Sequence, residues 1–256
     1  MSLKKLGLVA AMMTAMFAIM SASASAAIEE NITTGTTVPA VWKTGSTPFG
    51  NTEATGKTPV CSAATNLVLK GTILGSEAEL TATGVSCSGK LWNEGSGESA
   101  MAVGKGTLSF TGITVNKPAG CKLNGEANGS AKQVTETLTI SVDMWHHDLR
   151  KTEPAGVTTF TGEPVADAKA IVTFNPVGEK FATLNITNCA AEGKYKVTGT
   201  GVGESANETG TSAANQKLKF NEMSNLAGSL TLAGNPATIT GEANNELVGG
   251  EAFQVN

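Results

Sequence analysis

The chain has 256 residues, of which 18 are lysine or arginine and 22 are aspartate or glutamate, so its formal net charge is −4. The charges are sparse and scattered without a basic stripe, which argues against binding to nucleic acid or to anionic membranes. Glycine is abundant, and threonine recurs throughout. That composition favours strands and turns over helices.

The N-terminal segment is typical of a secretory signal peptide. A pair of lysines precedes an apolar run over residues 6–20, and small residues follow as far as Ala26. This order of basic, apolar and small-residue regions predicts a signal peptide over residues 1–26, cleaved after Ala26 or Ala27. A membrane anchor is the alternative, but the apolar run is short for a span and no basic flank follows it. We therefore expect a secreted or cell-surface protein that does not span the membrane after cleavage.

Residues 27–60 form a lead-in rich in threonine, glycine and proline, with no sustained hydrophobic period. Trp42 and Phe49 indicate that part of it packs against the rest of the chain. Beyond it, we expect a single all-β domain over residues 61–256, since about 230 residues remain after the leader.

That domain is predicted from short segments in which apolar residues alternate with threonine or serine, each bounded by glycine, proline or asparagine. The segments are 66–74, 78–87, 106–115, 136–145, 168–176, 181–189, 194–203, 216–223, 228–234 and 237–243. Their spacing of roughly ten residues predicts an antiparallel β-sandwich or Greek-key barrel. A parallel β-helix is the alternative because Gly/Asn turns recur, although no fixed repeat length is present.

The cysteines are Cys61, Cys87, Cys121 and Cys189, and an even number in an exported chain predicts two disulfides. Three pairings are possible. Cys61 and Cys87 bracket a predicted pair of strands and could close it locally. Because no CxxC pair occurs, a zinc ribbon is poorly supported.

A weak internal repeat indicates which cysteines pair with each other. Residues 106–129 resemble residues 182–203, and both are predicted to form a strand, a short loop and a second strand. One hairpin carries Cys121 and the other Cys189, so the two cysteines could meet if the hairpins lie side by side. The sequence therefore favours Cys61–Cys87 together with Cys121–Cys189.

The signal peptide, the motifs "LTATGVSC", "LSFTGITV" and "PAGCKLNG", and the tail "GSLTLAGNPATITGEANNELVGGEAF" together carry a family resemblance. The chain resembles uncharacterised secreted Thr/Gly-rich β-proteins of actinobacteria over most of its mature length. The resemblance implies export and an all-β fold. It implies no known activity, so it assigns no catalytic residue.

Both histidines lie in "SVDMWHHDLRK", residues 141–151. If the strand continues, His146 and Asp148 share one face about 6.6 Å apart, close enough for one metal ion to bridge them. They supply two ligands where zinc needs three or four. If the strand instead ends near Trp145, both residues belong to an exposed loop. We expect no cofactor and no metal, and these two residues are the weak candidates for metal ligands.

The sequence has no motif that carries a catalytic mechanism, such as GxSxG, HExxH or a phosphate-binding loop. We therefore expect a secreted non-enzymatic protein that serves as a structural, cell-envelope or adhesion component. Its partners would be envelope components or glycans. The alternative is a carbohydrate-binding or glycoside-hydrolysing jelly-roll-like domain, with Trp92 or Trp145 contacting sugar and a carboxylate pair of unknown spacing.

Overall fold

The computed structural model describes residues 38–96, 99–145, 169–208, 210–221 and 228–255. Within these ranges the chain forms antiparallel strands and a short 3₁₀ helix over Glu53–Thr55. The prediction of an all-β, sandwich-like fold is confirmed, and the antiparallel pairing of every strand in the described ranges excludes the β-helix.

The strands of the described part follow one another along nearly its whole length. In chain order they are β1 (Val38–Pro39), β2 (Trp42–Thr44), β3 (Thr47–Pro48), β4 (Pro59–Ala63), β5 (Leu67–Ile73), β6 (Ser76–Ala82), β7 (Gly84–Glu94), β8 (Met101–Lys117), β9 (Lys122–Leu123), β10 (Ala131–Val134), β11 (Leu138–Trp145), β12 (Lys169–Pro176), β13 (Ala182–Thr187), β14 (Gly193–Thr198), β15 (Gly201–Glu208), β16 (Gln216–Phe220), β17 (Thr231–Leu232), β18 (Asn235–Pro236), β19 (Thr238–Leu247) and β20 (Gln254–Val255).

The largest sheet has 12 strands, and β8 and β19 each pair with different strands along their length. β8 pairs with β11 through residues 103–106 and with β6 through residues 114–117. β19 pairs with β5 through residues 238–240 and with β16 through residues 241–245. The pairings therefore close a circuit through β8, β11, β12, β15, β16, β19, β5 and β6. Strands that pass from one layer to another in this way form the corners of a sandwich.

Glycines lie where these two corner strands change partners. Gly112 in β8 has φ +61° and Gly241 in β19 has φ +122°, a region that L side chains rarely adopt. A Cβ on Gly241 would lie 2.3 Å from the backbone oxygen of Asn66. The bend of β19 therefore depends on the absence of a side chain at position 241.

A second sheet of five strands, in the order β18-β17-β14-β13-β9, packs against β5, β8 and β10 of the large sheet. The burial pattern of β13 shows why its residues form a strand. Ala182, Leu184 and Ile186 are buried and alternate with partly exposed neighbours, as the two-residue period of a one-sided sheet requires. Their side chains join one continuous hydrophobic core with those of the large sheet.

A third, small sheet of β20, β2 and β3 brings the lead-in into the fold. Trp42, Phe49 and Phe253 are all buried, and their ring centroids lie 6.0–6.3 Å apart. The packing predicted for Trp42 and Phe49 is confirmed. Residues 38–60 thus share the hydrophobic core of the residues that follow them.

Two of the predicted segments each divide into two strands in the structure. Segment 78–87 divides into β6 and β7 at Thr83, and segment 194–203 divides into β14 and β15 near Gly199, whose φ is +92°. In addition, β9 pairs with β13 and does not return along β8 to complete the predicted first hairpin. The loop before β9 instead carries the chain across to the second sheet.

Candidate functional site

The predicted metal ligands His146 and Asp148 lie outside the described residues, and so does the signal peptide. β11 is described as far as Trp145, whose side chain is likewise outside the description. Elsewhere in the described ranges, no three His, Cys, Asp or Glu residues come together as a metal site would require. The metal hypothesis at His146 and Asp148 stays a prediction.

The structure contains both favoured disulfides. Cys61 in β4 joins Cys87 in β7, with their Cα atoms 5.2 Å apart. β4 is hydrogen-bonded to β19 and β7 to β8, so the bond connects two outer strands of the large sheet. A bridge between Lys57 and Leu91 lies beside it. Together they fasten the two strands that the sheet's own hydrogen bonding leaves apart.

The second disulfide joins Cys121 to Cys189, with their Cα atoms 4.9 Å apart. Cys121 precedes β9 and Cys189 follows β13, and these two strands pair through Leu123 and Ile186. The cysteines meet because this antiparallel pairing places the start of β9 opposite the end of β13. Cys121 is fully buried.

An apolar cavity of about 130 Å³, here named the upper cavity, lies between the second sheet and the facing part of the large sheet. Its lining is almost wholly aliphatic and aromatic. The residues are Leu67, Leu69, Leu80, Ala82, Leu108, Phe110, Ile113, Gln133, Thr135, Phe174, Phe181, Ala182, Leu184, Val197, Gly201, Leu230, Phe220 and Ile239. Native cores rarely leave spaces much larger than a water molecule, so this feature is a candidate binding site.

A second space of about 100 Å³, here named the lower cavity, lies beside it. Five residues line both cavities, which makes the two spaces contiguous along these side chains: Leu67, Leu108, Phe110, Phe174 and Phe220. The lower cavity also has a polar side, whose residues are Ser205, Gln216, Lys217, Asn244 and Asn245.

Two amides lie next to each other at that polar side, since Gln216 on β16 is directly opposite Asn245 on β19. Gln216 Nε2 donates to the backbone oxygens of Thr211 and Phe253. The Oδ1 atom of Asn245 is buried and has no hydrogen-bond partner among the described groups. Asn245 therefore has a buried acceptor that can bind a donor. The Oδ1 atom of Asn244 is also buried without a partner among the described groups, but Asn244 lies on the opposite strand face from Asn245 and the buried Leu247.

The sheet also sets the spacing of two carboxylates. Asp143 is directly opposite Ile171, and Ile171 is directly opposite Glu204, so both acids share one face. Their backbones lie two strand spacings apart, about 9.6 Å. Burial raises the pKa of Asp143. Glu204 is only 3% exposed and accepts a hydrogen bond from Asn221 Nδ2 at 3.0 Å.

Inverting glycosidases place their carboxyl groups about 6.5–9.5 Å apart, and the backbone spacing here is of the same order. However, the burial of Glu204 would keep a polysaccharide away from its carboxylate. Trp92, the other described residue of the carbohydrate hypothesis, lies partly buried in β7. We interpret the acidic pair as part of the packed sheet.

Comparison with known protein families, with curated proteins and with solved structures found no match to this chain. Among the helices of the described part, none is long and apolar enough to cross a membrane.

Sequence reasoning missed the two cavities and Asn245. Alternation predicts which side chains point inward, but the space left between them depends on how the sheets meet. Asn245 lies in a segment, "EANNEL", whose composition indicates an exposed strand end, so no local signal marks it as a lining residue.

Proposed function

We propose that this protein is exported and acts outside the cytoplasm as a non-enzymatic component of the cell envelope or cell surface. The observation that carries the proposal is the pair of disulfides, Cys61–Cys87 and Cys121–Cys189, in a chain that begins with a signal-peptide pattern. Structural disulfides persist in oxidising compartments and are rare in the cytosol.

The positions of the disulfides support a structural role. One fastens two outer strands of the large sheet, and the other fastens the loops beside the second sheet. Unpaired strand edges are sites of unwanted association and local opening. The main strands form a closed circuit, and a disulfide joins the outer strands β4 and β7. This construction suits a protein that has to persist outside the cell without chaperones.

The described chemistry gives further support. The cavities are lined mainly by hydrocarbon, and the carboxylates of Asp143 and Glu204 lie on a packed face of the sheet. Catalytic constellations instead place polar groups together in an accessible cleft. We therefore assign the protein to the structural or adhesive class.

Export is tested by expressing the full chain in a bacterial host and separating medium, envelope and cytoplasm. We expect the protein outside the cytoplasm, with a mature N-terminus at Ala27 or Ile28 by mass spectrometry and no free thiol. Leu8→Arg should hold it in the cytoplasm by placing a charge in the apolar run. Val177→Arg adds the same charge at an exposed site and should leave export unchanged. Cytoplasmic accumulation of the unprocessed wild-type chain would contradict the proposal.

The envelope role is tested by cosedimentation of the mature protein with isolated cell-wall fragments. We expect saturable retention that survives high salt, because the basic residues are scattered along the sequence and the net charge is negative. Retention that disappears in 0.5 M salt, or that is absent, would argue against an envelope component; salt at about this concentration screens surface charges within a few ångströms.

The second candidate is carbohydrate binding or hydrolysis, for which the described residues offer the partly buried Trp92 and the carboxylates of Asp143 and Glu204. A glycan array probes binding, with Trp92→Ala as the variant that should lose it. Polysaccharide hydrolysis that is lost in Glu204→Gln would replace the non-enzymatic proposal.

A further inference from the structure

The upper and lower cavities are too large to be ordinary packing defects. Protein interiors are packed as densely as organic crystals, and voids beyond the size of a water molecule are few. An apolar cavity of about 150 Å³ in a protein core can bind benzene. The volumes here are about 130 Å³ and about 100 Å³, so each has the scale of a small organic group.

We propose that the two cavities form one binding site for a small uncharged molecule with a hydrocarbon body and a single hydroxyl group. The hydrocarbon lies in the upper cavity, and the hydroxyl end lies against Asn245 in the lower cavity. Substituted phenols and short-chain alcohols have this chemistry.

The lining of the upper cavity selects against charge. Its two polar side chains are already engaged, since Thr135 Oγ1 accepts from Leu108 N at 2.9 Å and Gln133 Nε2 donates to Val134 O at 3.0 Å. A charged group placed there would lose its hydration without gaining a partner. Hydrocarbon loses nothing by the transfer and gains the burial of its surface.

Asn245 supplies the hydroxyl preference. Its Oδ1 is buried without a hydrogen-bond partner among the described groups, and it lines the lower cavity. A buried acceptor that lacks a donor costs free energy, which a ligand hydroxyl would recover. Gln216, its direct neighbour, is held by two backbone oxygens and does not compete for this atom.

The wall of the upper cavity has a partly exposed region that gives access from outside. Leu69 and Ile239 are directly paired across β5 and β19, and Leu230 lies near them, and all three are only partly buried. Small ligands can pass where such side chains change rotamer.

Three matched probes test the site by calorimetry and ligand-observed NMR on the mature protein. They are 4-ethylphenol, ethylbenzene, which lacks the hydroxyl, and 4-ethylbenzoate, which replaces it with a charge. We expect saturable one-to-one binding of 4-ethylphenol and about fivefold weaker binding of ethylbenzene, the equivalent of one hydrogen bond. We expect 4-ethylbenzoate to bind more weakly than 4-ethylphenol, because its carboxylate would lose hydration against a mainly apolar lining.

Two variants separate the parts of the site. Asn245→Ala should remove the preference for 4-ethylphenol over ethylbenzene while both still bind. Gly201→Val should weaken both at least tenfold, because its side chain grows into the upper cavity, where a Cβ would meet Phe181 at 3.4 Å. Gly178→Val is the matched control at an exposed position with open space, and it should bind both probes as wild type does.

Circular dichroism confirms that each variant is folded, and Gly201→Ala replaces Gly201→Val if the larger side chain prevents folding. Absence of saturable 4-ethylphenol binding to the folded wild type would overturn the proposal. Equal binding to the wild type and to a folded Gly201 variant would also overturn it, as would tighter binding of 4-ethylbenzoate. None of these outcomes depends on where the protein is located in the cell.

Discussion

Asn93 in β7 binds both backbone polar groups of Trp42, which precedes it by 51 residues. Asn93 Oδ1 accepts from Trp42 N at 2.8 Å, and Asn93 Nδ2 donates to Trp42 O at 3.0 Å. The same amide nitrogen also donates to Phe49 O at 3.3 Å. One buried amide thereby holds the lead-in segment against the large sheet.

We expect Asn93→Ala to lower the free energy of unfolding by about 2–4 kcal/mol, because it removes the Asn93 partner of the Trp42 N–H and of the Phe49 oxygen in a buried site. The Trp42 oxygen keeps its hydrogen bond from Phe49 N. Urea denaturation measures the change. Asn51→Ala is the matched control at an exposed asparagine and should change stability by less than about 0.5 kcal/mol. Equal effects of the two substitutions would mean that the amide does not anchor the lead-in.

The disulfides should differ in their contribution to stability. Cys61 and Cys87 are separated by 26 residues, and Cys121 and Cys189 by 68. On chain entropy alone, replacing the first pair by alanines should cost about 3.5 kcal/mol and replacing the second about 4.4 kcal/mol. Urea denaturation of the two double variants gives the comparison. A greater loss for the first pair would show that fastening β4 to β7 matters more than loop length.

Gly241 should tolerate no side chain. Gly241→Ala combines a positive φ with a clash against the backbone of Asn66, so we expect a loss of more than about 3 kcal/mol or failure to fold. Gly75→Ala is the matched control, since it also has a positive φ of +77° but open space around the added Cβ. It should cost about 1–2 kcal/mol, the conformational penalty alone. Thermal unfolding followed by circular dichroism distinguishes the two.

Asp143 should make stability depend on pH. Since burial raises its pKa, the folded protein holds this proton more tightly than the unfolded chain does. The resulting stabilisation is fully present below the ordinary carboxyl pKa of about 3.9 and is lost as the pH rises through the raised value. Asp143→Asn should therefore be more stable than wild type at neutral pH by up to about 1 kcal/mol, and the difference should shrink at about pH 3.

Glu79 provides the control of opposite sign. The hydrogen bond from the Asn116 side chain lowers the pKa of Glu79, so its contribution to stability is present above the ordinary carboxyl pKa and is lost as the pH falls. Glu79→Gln should be less stable than wild type at neutral pH, and this difference should shrink as the pH falls. The midpoints of urea denaturation of Asp143→Asn and Glu79→Gln, measured across pH against wild type, test both predictions. If both variants are stabilised, or both destabilised, at neutral pH, the opposite pKa directions given for Asp143 and Glu79 are contradicted.

Local chemistry explains the parts of the fold that could be predicted. Residues such as Leu184 and Ile186 alternate with polar neighbours because successive strand side chains point to opposite faces, and this pattern can be read from one segment. The disulfide pairs could be favoured for a related reason: Cys61 and Cys87 flank a hairpin that the local pattern indicates. The predicted hairpin around Cys121 was wrong in its pairing, since β9 joins β13, but the two cysteines still meet.

Strand alternation, turn residues and cysteine number are features of short stretches. They were therefore enough to predict an all-β chain, the approximate positions of most strands, the favoured disulfides and export. The pairing of β8 and β19 with strands of both layers, the anchoring of Trp42 by Asn93, and the position of Asn245 beside a cavity became evident only in the folded structure. These features arise from contacts between residues distant in sequence. Whether inward-facing side chains fill the space between two sheets is a property of the assembled sheets and of no single strand.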